Sequence, residues 1–585
     1  MSNIDKEMKK TQLNHTTSHL LAAAVLKLYP TAKLAIGPAI EDGFYYDFEF
    51  EENVSQEDLK KIEKMMKELA KQNWEMVQVP ASEYSFENQP YKKTLFDEFS
   101  KDGREITFYS LRHPKTNEVL FTDLCAGNHV DSIKEVKNFK LLSVAGAYWR
   151  GDSNNKMLTR IYGTSWETKE ELANYLQILQ ERKERDHRRI GKDLNIFTSS
   201  LLAGQGFPIW LEDGMKIHNA IRDYVLKLDK MYGFKEVLTP HFGEKQLYEI
   251  SGHWAHYQDT MFKPIEMDNE LLVGRPMTCP HHIILFNSTR RSYRDLPIRY
   301  SEQSRLYRYE KSGALSGLER VRGMDLTEGH VFVRPDQIKD EFKHLYKMIN
   351  EALKTFDIEV DHVSLSLRDP EDKEKFFDND QMWNDAESSL RELLNEMNIE
   401  YKEFIGEAAF YGPKIDIQIK TAMGRIITMS TLQLDFLLPR RFDMKYIDNE
   451  ENQVVPVLVH RGLIGTYERF IAILLEQTKG VLPFWLSPKQ LVIVPISEKH
   501  NEYCQDLYRY FLENDINVDF DDRNERMNKK IREAQINKAK YVAIIGDEEV
   551  ENQKVSIRAY GSQETLQYTK EELLNLFREL KANHK

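Results

Sequence analysis

The stretch that most constrains the fold is residues 298–333, IRYSEQSRLYRYEKSGALSGLERVRGMDLTEGHVFV, in which two long alternating runs flank the glycine-bearing loop KSGALSGLE. Such alternation predicts a β-hairpin, because side chains two positions apart on a strand share a face. With strands at 298–310 and 320–332, Arg308 and Glu310 share a face of the first strand. Arg320, Arg322, Met324, Leu326, Glu328 and His330 share a face of the second. A face carrying three arginines, two glutamates and a histidine is no core. It fits a solvated outer face or, since Met324 and Leu326 share it, a pocket floor where arginine meets phosphate or carboxylate and histidine meets a metal.

A chain of 585 residues is too long for one hydrophobic core, so about three or four domains are expected. Residues 1–166 read as an α+β domain, opening with the helix-forming SHLLAAAVLKLY and the alternating GFYYDFEF. Residues 167–189 are charged and free of glycine and proline, as in a linker helix. Residues 190–487 mix helices at 216–232, 337–353 and 465–478 with strands at 298–310, 320–332, 413–420 and 425–437. From 488 to 585, strand and helix alternate, which predicts a small α/β domain with a largely parallel sheet.

No apolar run approaches the roughly 18 residues that span a membrane, and the N-terminus lacks a signal-peptide core. A cytoplasmic chain without membrane contact is expected. Net charge is −13, so nucleic acid would have to be met by local patches such as 182–192 and 523–540. Three cysteines cannot build a disulfide framework. Two of them neighbour histidines: Cys279 in PMTCPHH, before His281 and His282, and Cys125 in DLCAGNH, before His129. With His15 and His19 of NHTTSH four apart, the second set has the spacing of a zinc site.

The motifs carry a resemblance. SEQSRLYRYE with RVRG resembles motif 2 of class II aminoacyl-tRNA synthetases, and HRGLIGTYERFIAILLE resembles motif 3. Helix 216–232 with FKEVLTP resembles motif 1, the dimer-forming element. GAYWRGDSNNKMLTRIYGT, DLCAGNH, SGHW, MTCPHH, AFYGPKID and LQLDF together resemble the threonyl-tRNA synthetase family over essentially the whole chain. That resemblance implies a multidomain α+β protein: an antiparallel-sheet class II catalytic core, an N-terminal α+β editing domain and a C-terminal α/β anticodon-binding domain. It implies a homodimer that activates L-threonine with ATP, transfers it to tRNA(Thr) and hydrolyses mischarged seryl-tRNA.

Site roles follow from the same resemblance. Cys279, His330 and His460 would hold one Zn2+ per subunit, and Mg2+ would accompany ATP. Arg308 would meet the substrate carboxylate and the α-phosphate, Glu310 the adenine amino group, Arg320 the γ-phosphate, and Arg469 adenine and phosphate. Tyr411, Lys414 and Gln433 fall at substrate positions. Glu328 stands where the family commonly has Asp near the threonine hydroxyl, and Met324 where a Phe often stacks on adenine. The editing positions are His15, His19, Lys92, Asp123, Cys125 and His129, working in that family with water and without a metal. Ala126 and Asn128 replace the family's Arg and Pro there. Asn524, Arg532, Glu549 and Arg558 would read the anticodon, while Lys529, Lys530 and Lys538 meet phosphates. His15 comes too early for the additional small N-terminal domain of many bacterial relatives, so a form without it is expected. The rival expectations are a non-aminoacylating RNA-binding or regulatory paralogue and a synthetase of altered amino-acid specificity.

Overall fold

The computed structural model describes residues 3–152 and 154–585; Met1, Ser2 and Ser153, the last within GAYWRGDSNNKMLTRIYGT, lie outside them. The chain divides into two compact units, Met1–Glu181 and Arg182–Lys585.

The first unit is built on the helix Asn3–Leu28. Leu20 to Val25 are all buried, as expected of an alanine- and leucine-rich helix that is apolar all round. It packs on an antiparallel sheet that includes Gly43–Glu49, Met157–Trp166 and Asn138–Tyr148, while Glu75–Val79, Phe108–Arg112 and Val119–Leu124 form a second antiparallel sheet. The expected linker helix is two helices, Lys169–Arg185 and His187–Asp193. Asp186 causes the break by accepting from Arg188 N, a cap that starts a new helix.

The second unit is centred on an eight-stranded sheet ordered 235–236, 298–307, 323–333, 457–466, 426–435, 414–420, 360–367 and 401–405. It is antiparallel except at its two edge pairs. Strand parity separates its two faces. Val331, Val333, Val459, Leu432, Leu434, Ile415 and Ile417 pack with helices Glu212–Met231, Ile338–Thr355 and Tyr467–Thr478 in one large core. Their strand neighbours His330, His460, Gln433 and Lys414 therefore project from the other face. His330 and His460 are buried there, so this face is not a solvated outer face.

The hairpin is shorter than its alternation suggested. The strands end at Tyr307 and begin at Gly323, so Arg308, Glu310, Arg320 and Arg322 lie in the connection. Arg308 N still donates to Arg322 O, but Arg322 N turns to Gly206 O at 2.7 Å. A segment distant in sequence thus takes the ladder's place.

Residues 491–568 form a five-stranded sheet ordered 518–520, 491–495, 541–545, 555–559 and 565–568. Its first three strands are parallel, as expected, but Val555–Ala559 and Thr565–Tyr568 pair antiparallel. The connection through Gly561, at φ 74°, is too short for a crossover and permits only a hairpin.

Candidate functional site

Neighbouring strands build the metal-ligating group. His330 and His460 are directly opposite on paired strands, and Gln433 is opposite His460 on the next. Cys279 is the first residue of helix Cys279–Asn287, and Pro280 suits that first turn. Ligand atoms of Cys279, His330 and His460 all lie within 4.8 Å of one another, and all three residues are buried. His281 turns away, its Nε2 3.4 Å from Phe242 O.

The outward nitrogens of both histidines are tied. His460 Nε2 donates to Asp435 Oδ2 at 2.9 Å, and Asp435 is itself fixed by Leu437 N and Leu438 N. His330 Nδ1 meets His282 Nδ1 at 2.9 Å. His460 Nδ1 thereby turns its lone pair inward, 3.1 Å from His330 Nε2 and beside the Cys279 thiol. Burial lowers His330 to about 3 against the pull of Glu328, so its ring is neutral. Burial raises the Cys279 thiol well above its ordinary value, aided by Glu328 and Asp435. A bound cation would reverse that last shift. Two buried imidazoles and a thiol that converge, supplying three ligands, fit zinc in its catalytic form.

Around this group the residues expected at substrate positions form one network. Tyr411 stacks on His460 with ring centroids 4.9 Å apart, and its hydroxyl donates to Gln433 Oε1. Gln433 Nε2 donates to Thr431 Oγ1, Thr431 to Asp416, and Lys414 pairs with Asp416. Glu328 Oε1 lies 3.3 Å from His330 Nε2, while its Oε2 is buried and has no partner among the described residues. Burial raises the Glu328 carboxyl, but His330, His460 and His282 outweigh that and hold it well below the usual glutamate range. An ionised acceptor with a free oxygen therefore faces the site.

The turn AFYGPK brings Tyr411 and Lys414 into this network, and it needs its glycine. Gly412 N donates to Ala409 O, and a Cβ on Gly412 would lie 1.7 Å from Leu434 O. Gly412→Ala is expected to cost about 1–3 kcal/mol and to reduce threonine activation, because strand 426–435 must move aside. Denaturant unfolding and threonine-dependent exchange measured together check this; wild-type values for both would remove the close-approach argument.

The arginines gather at the end of the hairpin. Arg308 Nε donates to Pro276 O, beside Cys279, at 3.2 Å. Arg320 pairs with Glu310 at 2.9 Å, and Arg469 Nε donates to Glu319 O. Arg469 is lowered from the ordinary arginine value, first by burial, then by the nearby positive charges of Arg308 and Arg320 against the pull of Glu319. Three guanidiniums that repel one another with few carboxylates between them are suited to polyanion binding. Met324, 7% exposed, packs with Leu306 and Val321.

The first unit holds a second group. His15, His19, Lys92, Asp123 and Cys125 line a cavity of about 430 Å³. Asp123 accepts from Tyr46 at 2.6 Å and pairs with Lys92 Nζ at 2.6 Å. His15 Nδ1 donates to Gly127 O, and Cys125 Sγ lies 3.2 Å from His129 Nε2. Asn128 takes φ 62°, which a proline ring excludes, so this turn differs from one that carries proline there. Burial raises Cys125 to about 12, seconded by Asp123, and lowers His129 to about 3, seconded by His15. A thiol and a neutral imidazole result. Ligand atoms of His15, His19, Cys125 and His129 also lie within 4.8 Å of one another, so the zinc-like spacing of the sequence is matched in space.

In the C-terminal sheet region Asn524 and Arg532 are exposed, and Arg558 is half-buried. Glu549 is turned inward, accepting from Gly546 N and Ser556 Oγ, so its carboxylate holds a turn. Lys530 is buried and donates to Asp521 O. Neither is presented to RNA as the sequence suggested. Sequence reasoning missed Arg275, Glu302, Asp416 and Asp435 altogether. Asp435 lies in the recognised LQLDF, but its role shows only across strands.

An antiparallel sheet with helices on one face, and on the other a convergence of arginines beside substrate-positioning polar groups, defines the class II aminoacyl-tRNA synthetase core. The tRNA synthetase class II core domain (G, H, P, S and T) matches residues 262–478, the anticodon binding domain 490–580, and the threonyl and alanyl tRNA synthetase second additional domain 106–162. The chain is 61% identical over 556 residues to the threonine–tRNA ligase of Mycoplasmopsis pulmonis, across 95% of this chain and 94% of that protein. It is 49% identical over 576 residues to that of Staphylococcus aureus, across 97% and 88%. The solved RNA binding domain of threonyl-tRNA synthetase from Cryptosporidium parvum aligns with a TM-score of 0.65 at 33% identity, over 68% of this chain and 98% of that one. The chain belongs to the threonine–tRNA ligase family and is an ATP-dependent ligase of threonine to tRNA. A non-aminoacylating paralogue is not favoured at this identity.

Proposed function

We propose that Cys279, His330 and His460 hold one zinc ion per subunit and that this centre selects threonine. The carrying observation is the convergence of three inward-facing ligand atoms, with both histidines fixed from behind. The chemistry such an ion supplies is coordination of the amino and hydroxyl groups of threonine, which valine cannot match for want of a hydroxyl. The free Glu328 Oε2 accepts from the same hydroxyl or amino group. Arg308 binds the substrate carboxylate and the α-phosphate and stabilises the charge that grows as the carboxylate oxygen attacks phosphorus. Glu310 accepts from the adenine amino group beside Met324, Arg320 takes the γ-phosphate and Arg469 lies over the nucleotide, with Mg2+ among the phosphates. Tyr411, Lys414 and Gln433 orient the amino acid.

Serine differs from threonine by a methyl, worth about 10–200-fold in binding, which is too little for translation. The cavity of the first unit supplies the remaining discrimination by hydrolysing seryl-tRNA. Neutral His15 and His129 and the Cys125 thiol position water there, while Lys92 and Asp123 hold the pocket's charge pair; no metal is assigned to it. Cys125→Ala and His15→Ala are expected to leave threonylation intact and let seryl-tRNA accumulate at least about tenfold. Unchanged mischarging would remove the editing assignment.

Asn524, Arg532 and Arg558 contact the anticodon, with Glu549 supporting their framework. Exposed Met231, Leu238 and Phe242 beside helix Glu212–Met231 support a homodimer through that face. No helix among the described residues is long and apolar enough to cross a membrane, and a cytoplasmic location is proposed. Metal analysis combined with ATP–pyrophosphate exchange tests the central reading. Metal-free active protein, or serine and valine rates equal to threonine, would sink it.

A further inference from the structure

His282 lies on helix Cys279–Asn287, fully buried, and its two ring nitrogens sit on a single hydrogen-bonded row. Nε2 lies 3.1 Å from Glu302 Oε2 and Nδ1 lies 2.9 Å from His330 Nδ1. The far end of the row is firmly held. Glu302 Oε1 accepts from Arg275 Nη2 at 2.7 Å, and Oε2 accepts from Thr239 Oγ1 at 2.8 Å. Arg275 also donates to Arg305 O at 2.8 Å and to Thr239 Oγ1 at 2.7 Å. Arg275, His282, Glu302 and His330 are each no more than 1% exposed, so water does not compete for these bonds.

The row has a direction. A carboxylate that already accepts from an arginine and a hydroxyl offers His282 only an acceptor, so His282 presents Nε2–H to it. Neutral imidazole protonated at Nε2 carries its lone pair on Nδ1, so His282 accepts from Nδ1–H of His330. His330 is then left with its lone pair on Nε2, the nitrogen 3.1 Å from His460 Nδ1 inside the metal-ligating group; Glu328 Oε1, 3.3 Å from the same nitrogen, would draw an N–H there, and the row from Glu302 opposes that pull. Run in the opposite sense, the same row would put an N–H of His330 into the site and repel a cation.

We propose that Glu302, held by Arg275, sets the tautomer of His282 and through it keeps the Nε2 lone pair of His330 turned into the metal site. Glu302 and His282 are positioning residues, acting on the zinc centre across two hydrogen bonds, as Asp435 acts on His460 across one. The inference rests on the proposed zinc site. It gives His282 a task that its neighbour His281 does not share, and it gives the buried Arg275–Glu302 pair a function beyond filling the core.

The test uses the isosteric variants His282→Asn and His282→Leu in the full chain, with zinc affinity measured by competition against a chromophoric chelator. Asparagine offers an amide oxygen near the place of Nδ1, and leucine offers no acceptor. His282→Asn is expected to bind zinc within about threefold of the wild type, and His282→Leu at least about tenfold more weakly. In Glu302→Gln the amide oxygen is drawn to Arg275 and its NH2 faces His282, which reverses the row. That variant is expected to lose about tenfold or more in zinc affinity, but less than about threefold when His282→Asn is already present.

Equal affinities for the Asn and Leu variants, or a Glu302→Gln chain within threefold of the wild type, would overturn the relay. If Glu302→Gln fails to fold, the Asn and Leu pair decides alone. A wild-type chain that takes up no zinc overturns both the zinc reading and the relay, whereas zinc uptake that is indifferent to these variants overturns the relay only.

Discussion

An Arg308→Ala chain is expected to lose about 10²–10³-fold in threonine-dependent ATP–pyrophosphate exchange while keeping its fold and its zinc. The guanidinium lies just beyond the end of strand Ile298–Tyr307 and makes a backbone hydrogen bond to Pro276 O, so its removal leaves no buried charge unpaired. Arg320 and Arg469 remain to bind nucleotide, so the loss should fall on turnover more than on the KM for ATP. Zinc content should be unchanged, because Arg308 is not among the proposed ligands. A decrease of less than tenfold, or a loss that appears only in the KM for ATP, would refute the role given to Arg308.

Cys279→Ala should act on a different quantity. Removing one of the three proposed ligands from a buried site is expected to leave the protein without stoichiometric zinc, and His330 and His460 with no cation to share. Preference for threonine over valine should then fall from about 10⁴ toward the about 10² that an apolar pocket manages by shape. The backbone should tolerate the change, since Cys279 packs in a cluster with Ile283, Phe286, Phe332 and Leu458 that alanine leaves standing. Metal analysis and exchange with threonine, serine and valine on one preparation provide the check. Full zinc occupancy with intact discrimination would dismiss Cys279 as a ligand.

Most of the catalytic sheet was legible because its signal is local. Alternation in 413–420 and 425–437 put Ile415, Ile417, Leu432 and Leu434 on one face and Lys414 and Gln433 on the other, and the structure keeps that parity. Where a distant segment intervenes, local pattern fails. Alternation overextends the hairpin because Arg322 N goes to Gly206 O, and the alternation of strand and helix makes the C-terminal sheet look more parallel than it is because Val555–Ala559 and Thr565–Tyr568 add to it antiparallel. Glu549 and Lys530 illustrate the same limit, since both face inward to partners that only the folded chain supplies.

What the sequence determined by itself is the chemistry and its placement along the strands. A cysteine, two histidines and three arginines stand in recognisable blocks, and period two decides which residues turn from the core. The folded structure alone decided which of these groups meet and which nitrogen of each ring is free. His330 and His460 become neighbours by strand pairing, and their inward lone pairs are fixed by Asp435 and by the row from Arg275 through Glu302 to His282. The reason is physical: side-chain identity and strand parity are written within a few consecutive residues, whereas a tautomer is chosen by a hydrogen-bond partner that may lie anywhere in the chain.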